Sequence, residues 1–535
     1  MEFDPVRFDY PSRRNVVYAR KGMVATSQHL AAQAGLDMLK KGGNAVDAAI
    51  AAAACLTVVE PTSNGIGGDA FAIVWTDGKL YGLNASGPAP RAISAEVLRK
   101  AGFKEMPRMG WIPVTVPGAP SAWAALSKRF GRLSLAELLS PAIEYAAGGY
   151  PVSPTVADAW AKAYGLYKET LKGEEYKYWF DTFAPSGRPP GPGETWRSPD
   201  HARTLEKIAA TGAGDFYRGE LAQRIDDFSR KYGGYIRRED LEQYSPEWVE
   251  PVKVNYRGCD VWELPPNGHG IVALMALNIL KGFDPCDGDA ALFCHRQIEA
   301  VKLAFADCFK YLSDPRYMDV SVEALLSEEY AAQRRKLIDR SALLPEAGTP
   351  SRGGTVYLAA ADGEGNMVSY IQSNFRGFGS GLVVPGTGIS LHNRGSSFSL
   401  DEAHVNCIAP GKKPYHTIIP GFLTREGKPI GPFGVMGALM QPQGHVQVIV
   451  NTLDYKRNPQ DALDAPRWQW AEGKKVYIEP QFPGPLAEAL NDFGHEVRRY
   501  ENIASFGRGQ IIWRMEDGTL AGGTEPRADG TVAAW

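Results

Sequence analysis

Residues 45–59 read AVDAAIAAAACLTVV, and the twelve residues from Ala48 to Val59 include no charge. A helix that is apolar nearly all round has no face to give to water, so it must sit in the middle of a large core with other elements packed around it. The run falls short of the ~20 residues needed to cross a bilayer, which makes it a buried helix. Asn44 is placed to cap it and Pro61 follows its end. The preceding stretch LAAQAGLDMLKK reads as a partner helix, capped by Ser27 and stopped at Gly42-Gly43. The first residues, MEFDPVRFDYPSRRN, hold no apolar h-region, so no secretory signal is expected and the protein is expected to stay in the cytoplasm.

A chain of 535 residues can bury such a core without disulfides or metals. The 58 Lys and Arg against 61 Asp and Glu give a net charge of −3, and the pI of about 6.4 argues against a nucleic-acid partner. The six cysteines (Cys55, Cys259, Cys286, Cys294, Cys308 and Cys407) include no CxxC pair and no zinc-ligand spacing with His, so they read as buried reduced thiols. Neither metal nor cofactor is expected. The 58 Gly and 38 Pro are spread along the chain and indicate a loop-rich architecture without internal repeats.

Past the helix pair, DAFAIVWTDGKLYGLNAS reads as a hairpin around Asp77-Gly78. Residues 118–350 read as mainly helical, with Pro/Gly-rich breaks near 184–193 and 264–271. Residues 352–450 change to Gly-rich, β-branched short strands, and a helix is expected near 443–455. Gly65-Ile66-Gly67-Gly68-Asp69-Ala70 fits GxGxxA. A dinucleotide fingerprint needs a strand before it and a helix after it, and here the order is reversed, so the motif reads as a backbone turn. Asp362–Asn366 loosely resembles a calcium loop but lacks the later Gly and Glu, and reads as a hairpin turn.

That turn carries the most chemistry. Val356–Ala361 and Met367–Ser373 read as strands with the turn centred near Glu364. Thr355 lies nine residues before the centre and Ser373 nine after it, so a regular hairpin makes the two hydroxyls cross-strand neighbours. Gly353-Gly354 leaves the bond before Thr355 sterically open. The combination suits an autoprocessed N-terminal nucleophile: the Thr hydroxyl attacks the preceding carbonyl, and water then frees a threonine whose α-amine, of pKa ~7.7–8 unperturbed, serves as base for its own hydroxyl. Taken alone, Gly-Gly-Thr before a strand also reads as an ordinary loop–strand junction.

The chain resembles the γ-glutamyltranspeptidase family of N-terminal-nucleophile hydrolases. The strings that carry the likeness are GMVATSQHLAAQAGLDMLKKGGNAVDAAIAAAACLTVVEPTSNGIGGDAF, GWIPVTVPGAPSAWAAL, LSLAELLSPAIEYAAGGYPVS, NTLDYKRNPQDALDAPRW and GGTEPRADGTVAAW. The resemblance implies an α+β fold, an αββα four-layer sandwich from an autoprocessed precursor. The large subunit would be residues 1–354 and the small subunit residues 355–535, together one globular domain and a heterodimer, with a dimer of heterodimers also open. It implies cleavage between Gly354 and Thr355, Thr355 as nucleophile and Ser373 as a supporting hydroxyl. It further implies an oxyanion hole at Gly437-Ala438, which otherwise reads as a packing turn.

The likeness fails where γ-glutamyl enzymes hold the amino-acid end of their substrate. The Arg of that clamp reads Asn84, its Ser pair reads His416-Thr417, and its amine-binding Asp reads Ser397. The usual amide-contact Asn reads Phe375, a new cation appears at Arg394, and the segment between Ser399 and Pro414 is shorter than the family's covering lid. Losing the Asp removes the partner of an ammonium, and losing the Arg removes a bidentate carboxylate fork. Arg394 and His416 would rebuild an anion site, or else are a solvated surface Arg and a hydrogen-bonded structural His. The reading is an amidohydrolase that acylates Thr355 and transfers to water, with a small-molecule amide as its partner and no nucleic acid or membrane. By family it is glutathione hydrolase-like. The alternatives are an oxamate amidohydrolase or cephalosporin/glutaryl acylase type of enzyme, and a processed but inactive scaffold.

Overall fold

The computed structural model describes residues 14–285, 288–345 and 354–535, so Cys286, Gly353 and most of the N-terminal segment read above lie outside the described residues. The helix pair forms over His29–Lys40 and Ala45–Val59. Every residue of the second helix is buried, as its composition requires. Asn44 caps it through a capping box with Asp47. The first helix is capped by Gln28 instead of Ser27, because the Ser27 hydroxyl is spent on the buried Glu60 carboxylate (2.5 Å).

Two seven-stranded sheets make up most of the rest. One runs, edge to edge, through Thr531–Ala534, Gly22–Thr26, Gly354–Asp362, Met367–Phe375, Asp69–Thr76, Lys79–Ala85 and Glu247–Val249. The other runs through Val17–Ala19, Leu520–Thr524, Arg508–Arg514, Lys428–Met436, Gly421–Arg425, Cys259–Glu263 and Val252–Tyr256. In both sheets, strands from before Gly354 are interleaved with strands from after it. The region read as mainly helical thus contributes strands at 247–263, each only three to five residues long and so invisible to a helix-scale pattern. The late helix starts at Met440, three residues earlier than read, and ends at Leu453.

Strand alternation sorts the core. On the first sheet Val24, Val356, Leu358, Ala360, Val368 and Tyr370 pack with the buried helix pair. Their alternates Met23, Ala25, Tyr357, Ala359, Ala361, Met367 and Ile371 pack against Phe422, Met436 and Ile512 of the second sheet. The outer face of the second sheet, with Val261, Phe433, Val435 and Ile511, packs on the helices Gly270–Leu280, Ala290–Tyr311 and Met440–Leu453.

No helix among the described residues is long and apolar enough to cross a membrane. Cys55, Cys259, Cys294 and Cys308 are buried free thiols and Cys407 is half-buried.

The sheets come into close contact at a position where the second has no side chain. A Cβ on Gly434 would stand 2.4 Å from the Tyr357 ring. Gly434→Val must therefore push the sheets apart two residues from Thr355. It is expected to cost ~1–3 kcal/mol, as overpacked cores do. A thermal melt should show a midpoint several degrees lower, whereas an unchanged midpoint would mean that the contact carries no packing energy.

Candidate active site

The hairpin register matches the arithmetic from sequence. Val356 pairs Gln372 and Ala361 pairs Met367, while Gly354 pairs Phe375, so the ladder slips by one residue at Thr355. Antiparallel neighbours share a face, and the next strand continues the row: Ser373 pairs Asp69, just as Ile371 pairs Phe71. Thr355, Ser373 and Asp69 thus lie side by side at the end of the inter-sheet layer, beyond Tyr357, Ile371 and Phe71. All three are buried.

Thr355 Oγ1 lies 3.1 Å from Ser373 Oγ. Ser373 Oγ also accepts the Phe375 N–H (2.7 Å), which bends the chain at the end of the strand. Phe375 adopts φ +73°, a region that bulky side chains rarely enter, opposite the residue that precedes Thr355. Held there, its ring forms the floor under two guanidiniums, with Cζ of Arg394 4.2 Å and Cζ of Arg376 5.2 Å from its centroid.

Asp69 is the electrostatic centre, in a motif whose sequence reads only as a turn. The turn is real. A Cβ on Gly67 would stand 2.3 Å from the Ser390 carbonyl oxygen and one on Gly68 2.7 Å from that of Ser373, so the loop lies flat on both segments and delivers Asp69 into the site. Asp69 Oδ2 accepts Nε2–H of His416 (2.9 Å) and Nε–H of Arg394 (3.3 Å), and His392 Nδ1 lies 3.0 Å away. Burial would raise the Asp69 pKa, but the His392 and His416 contacts outweigh it and hold the carboxyl well below the usual range. A lone acid opening an otherwise apolar strand was the available signal: such a group must be paired.

Arg394 is fully buried and not on the surface. Its Nη1 donates to Thr417 Oγ1 (2.7 Å), and its Nη2 has no hydrogen-bond partner. Burial pulls its pKa down to about 10, with Asp69 opposing, so it stays charged at neutral pH. The His416 ring packs against Phe71, tilted by 37° with centroids 4.7 Å apart, and its Nδ1 accepts the Ile418 N–H (3.4 Å), which leaves Nε2 as the protonated nitrogen. Burial, then the Arg394 charge, push its pKa down to about 3, so it is a neutral donor and adds no positive charge.

Asn84 and Ser397 stand apart from these contacts. Asn84 donates to Asn267 Oδ1 (2.9 Å) and accepts from Ser86, in a closed amide–hydroxyl knot. The Ser397 hydroxyl reaches only the carbonyls of Arg394 and Tyr415 (2.9 and 2.8 Å), so it fixes the turn that carries Arg394. The segment after it folds into a short closed turn, with Lys412 Nζ donating to the carbonyls of Val405 and Cys407 and with Phe398, Leu400 and Ile408 packed on Ile93 and Leu98. Gly437 and Ala438 join the strand Lys428–Met436 to the helix Met440–Leu453. Ala438 holds φ +52°, the left-handed conformation that a Gly at this position would adopt freely.

A separate buried cluster, not anticipated from sequence, joins His295, Glu299 and His495, whose donor atoms lie within 4.8 Å of one another. That spacing would also fit a metal ion, but Lys302 Nζ, 2.7 Å from Glu299, supplies the cation there.

A family model, Gamma-glutamyltranspeptidase, matches residues 31–535. The chain is 38% identical over 531 residues to the glutathione hydrolase-like YwrD proenzyme of Bacillus subtilis, with 96% of this chain and 99% of the relative covered. It is 34% identical to the oxamate amidohydrolase proenzyme of Klebsiella pneumoniae, over 96% of this chain and 98% of the relative. Its structure matches that of a cephalosporin acylase from Bacillus halodurans with a TM-score of 0.96 and 61% identity, covering 100% of this chain and 99% of that one.

The depressed imidazole sets a pH dependence. Between the ordinary histidine value of 6.5 and about 3, an unfolded chain binds the proton that folded His416 refuses, so stability falls as pH drops through that window. His445, also pushed down to about 3 by burial, acts in the same direction. The thermal midpoint is expected to fall from pH 7 to pH 4, and His416→Gln to make that fall shallower. Identical slopes in the two proteins would mean that His416 takes up its proton while folded.

Proposed function

This chain belongs to the gamma-glutamyltranspeptidase family of amide hydrolases, and we propose that it matures by cutting itself between Gly354 and Thr355. The proximity of the Thr355 and Ser373 hydroxyls carries this reading. Thr355 Oγ attacks the Gly354 carbonyl, the amide becomes an ester, and water releases residues 1–354 as the large subunit from residues 355–535, the small one. The freed α-amine then takes the hydroxyl proton as Thr355 attacks the substrate amide. The amine leaves with that proton, and water hydrolyses the acyl-threonine. The inter-sheet position of Thr355 is that expected of a nucleophile in an αββα four-layer sandwich, and the interleaved strands support a heterodimer that stays together after the cut.

The backbone N–H groups at Gly437 and Ala438 are assigned to the oxyanion, at the start of a helix whose dipole favours negative charge. The acyl group is assigned to the pocket around Phe375, Arg394, Thr417 and His416, with Arg394 Nη2 donating to a carboxylate. Asn84 and Ser397, tied up in the contacts described above, offer this pocket no charge. Asp69, the acid paired across the strands with Ser373, is already shared by Arg394 and His416. The substrate class is therefore a small amide bearing a carboxylate and no α-ammonium, in line with the names of the oxamate and cephalosporin relatives. Water is the acceptor, because the closed turn after Ser399 is too short to shield a second substrate.

Three outcomes are expected. Mass spectrometry should find pieces of 354 and 181 residues in the wild type and a single uncut, inactive chain in Thr355→Ala. An active but uncut wild type would rule out the free-amine mechanism. Ala438→Gly should be tolerated, and Ala438→Pro, which deletes the N–H donor and cannot hold the φ of +52°, should lower kcat by at least ~10²–10³-fold. A near-normal rate in a folded Pro variant would move the oxyanion hole elsewhere. In a panel of amides, oxamate- and glutaryl-type compounds should turn over at least ~tenfold better than glutathione, as follows when a clamp loses both charged partners. Efficient glutathione hydrolysis that Arg394→Ala leaves untouched would return the enzyme to the γ-glutamyl class.

A further inference from the structure

Three arginines near the Phe375 turn grade from exposed to fully buried. Arg108 is exposed, Arg376 half-buried and Arg394 fully buried. One side chain ties their backbones together: Asn393 Oδ1 accepts the Arg376 N–H (3.2 Å), Asn393 Nδ2 donates to the Arg108 carbonyl (2.9 Å), and Asn393 itself precedes Arg394. The Phe375 ring, opposite Gly354, lies against both Arg376 and Arg394.

The three charges are balanced unequally. Arg394 is neutralised by Asp69 and keeps one spare donor, Nη2. Arg376 and Arg108 form no ion pair among the described residues, and the buried Nε of Arg376 has no hydrogen-bond partner. Burial and the neighbouring Arg108 charge lower the Arg376 pKa only to about 10, so it remains a cation at neutral pH. A buried N–H left unpaired beside a second like charge is costly, and an anion seated there relieves both costs.

We propose that Arg376, with Arg108 on its outer side, forms a second anion subsite, and that the substrate is an amide carrying two carboxylates. One carboxylate takes the spare donor of Arg394. The other is held by Arg376 and drawn in by the uncompensated field that it shares with Arg108. This rests on the reading of Thr355 as the nucleophile for carboxylate-bearing amides, and it adds where the second charge lies.

The test compares N-glutaryl-4-nitroaniline, with one carboxylate, and N-glutaryl-4-aminobenzoate, with two, on the matured enzyme. Arg376→Gln should shift the ratio of their KM values by tenfold or more against the dianion, while Arg394→Gln should raise KM for both alike. An unchanged ratio in Arg376→Gln would overturn the second subsite and leave the parent reading standing. Failure of the wild type to open either amide would remove the parent reading and this one with it. Should Arg376→Gln fail to mature, the wild type decides through salt. A KM that rises more steeply with ionic strength for the dianion than for the monoanion supports the subsite, and equal slopes overturn it.

Discussion

The pairing of Gly354–Asp362 with Met367–Phe375 is the constraint on which the rest of the structure depends. Side chains alternate across a strand, so a slip of one residue would turn Thr355 out of the inter-sheet layer and toward the helix pair. The register is held on both flanks. Gly22–Thr26 pairs one strand and Asp69–Thr76 pairs the other, and the latter brings Asp69 into line with Ser373. The site is a row of three residues on three adjacent strands, and its geometry follows from backbone hydrogen bonds made further along the sheet.

Charge is the second constraint. Asp69 and Arg394 are both fully buried and form an ion pair, with His392 and His416 also on the carboxylate. Removing Asp69 would leave the Arg394 cation buried without an acid. His416 fits this arrangement because it is neutral: it donates to the acid without competing with the guanidinium. The Asp69 carboxylate is thus already engaged by Arg394 and His416.

Much of this was legible in the chain before any coordinates. The buried helix followed from residues 45–59, its cap from Asn44, and the Thr355–Ser373 contact from counting outward from Glu364. Each depends on local periodicity or on a tight turn. The role of Asp69 was not legible, because its partner lies 325 residues away and no local pattern joins them. The burial of Arg394 is not legible for the same reason, since a polar loop sequence does not reveal what closes over it. Ser27 was assigned to a cap because Ser usually serves there, yet a buried carboxylate at Glu60 had the stronger claim on its hydroxyl.

The interleaving of the strands bears on how the molecule can be remade. Neither sheet is built from one side of Gly354 alone, so neither half of the chain owns a complete hydrophobic layer. While the chain is whole, its ends search for one another at the high effective concentration of a tether. A break before Thr355 turns the same assembly into a bimolecular encounter between two fragments, each exposing half-built sheet edges. For a chain cut there, the uncut precursor would be the form able to fold, and the cut form would depend on slow unfolding to keep its shape.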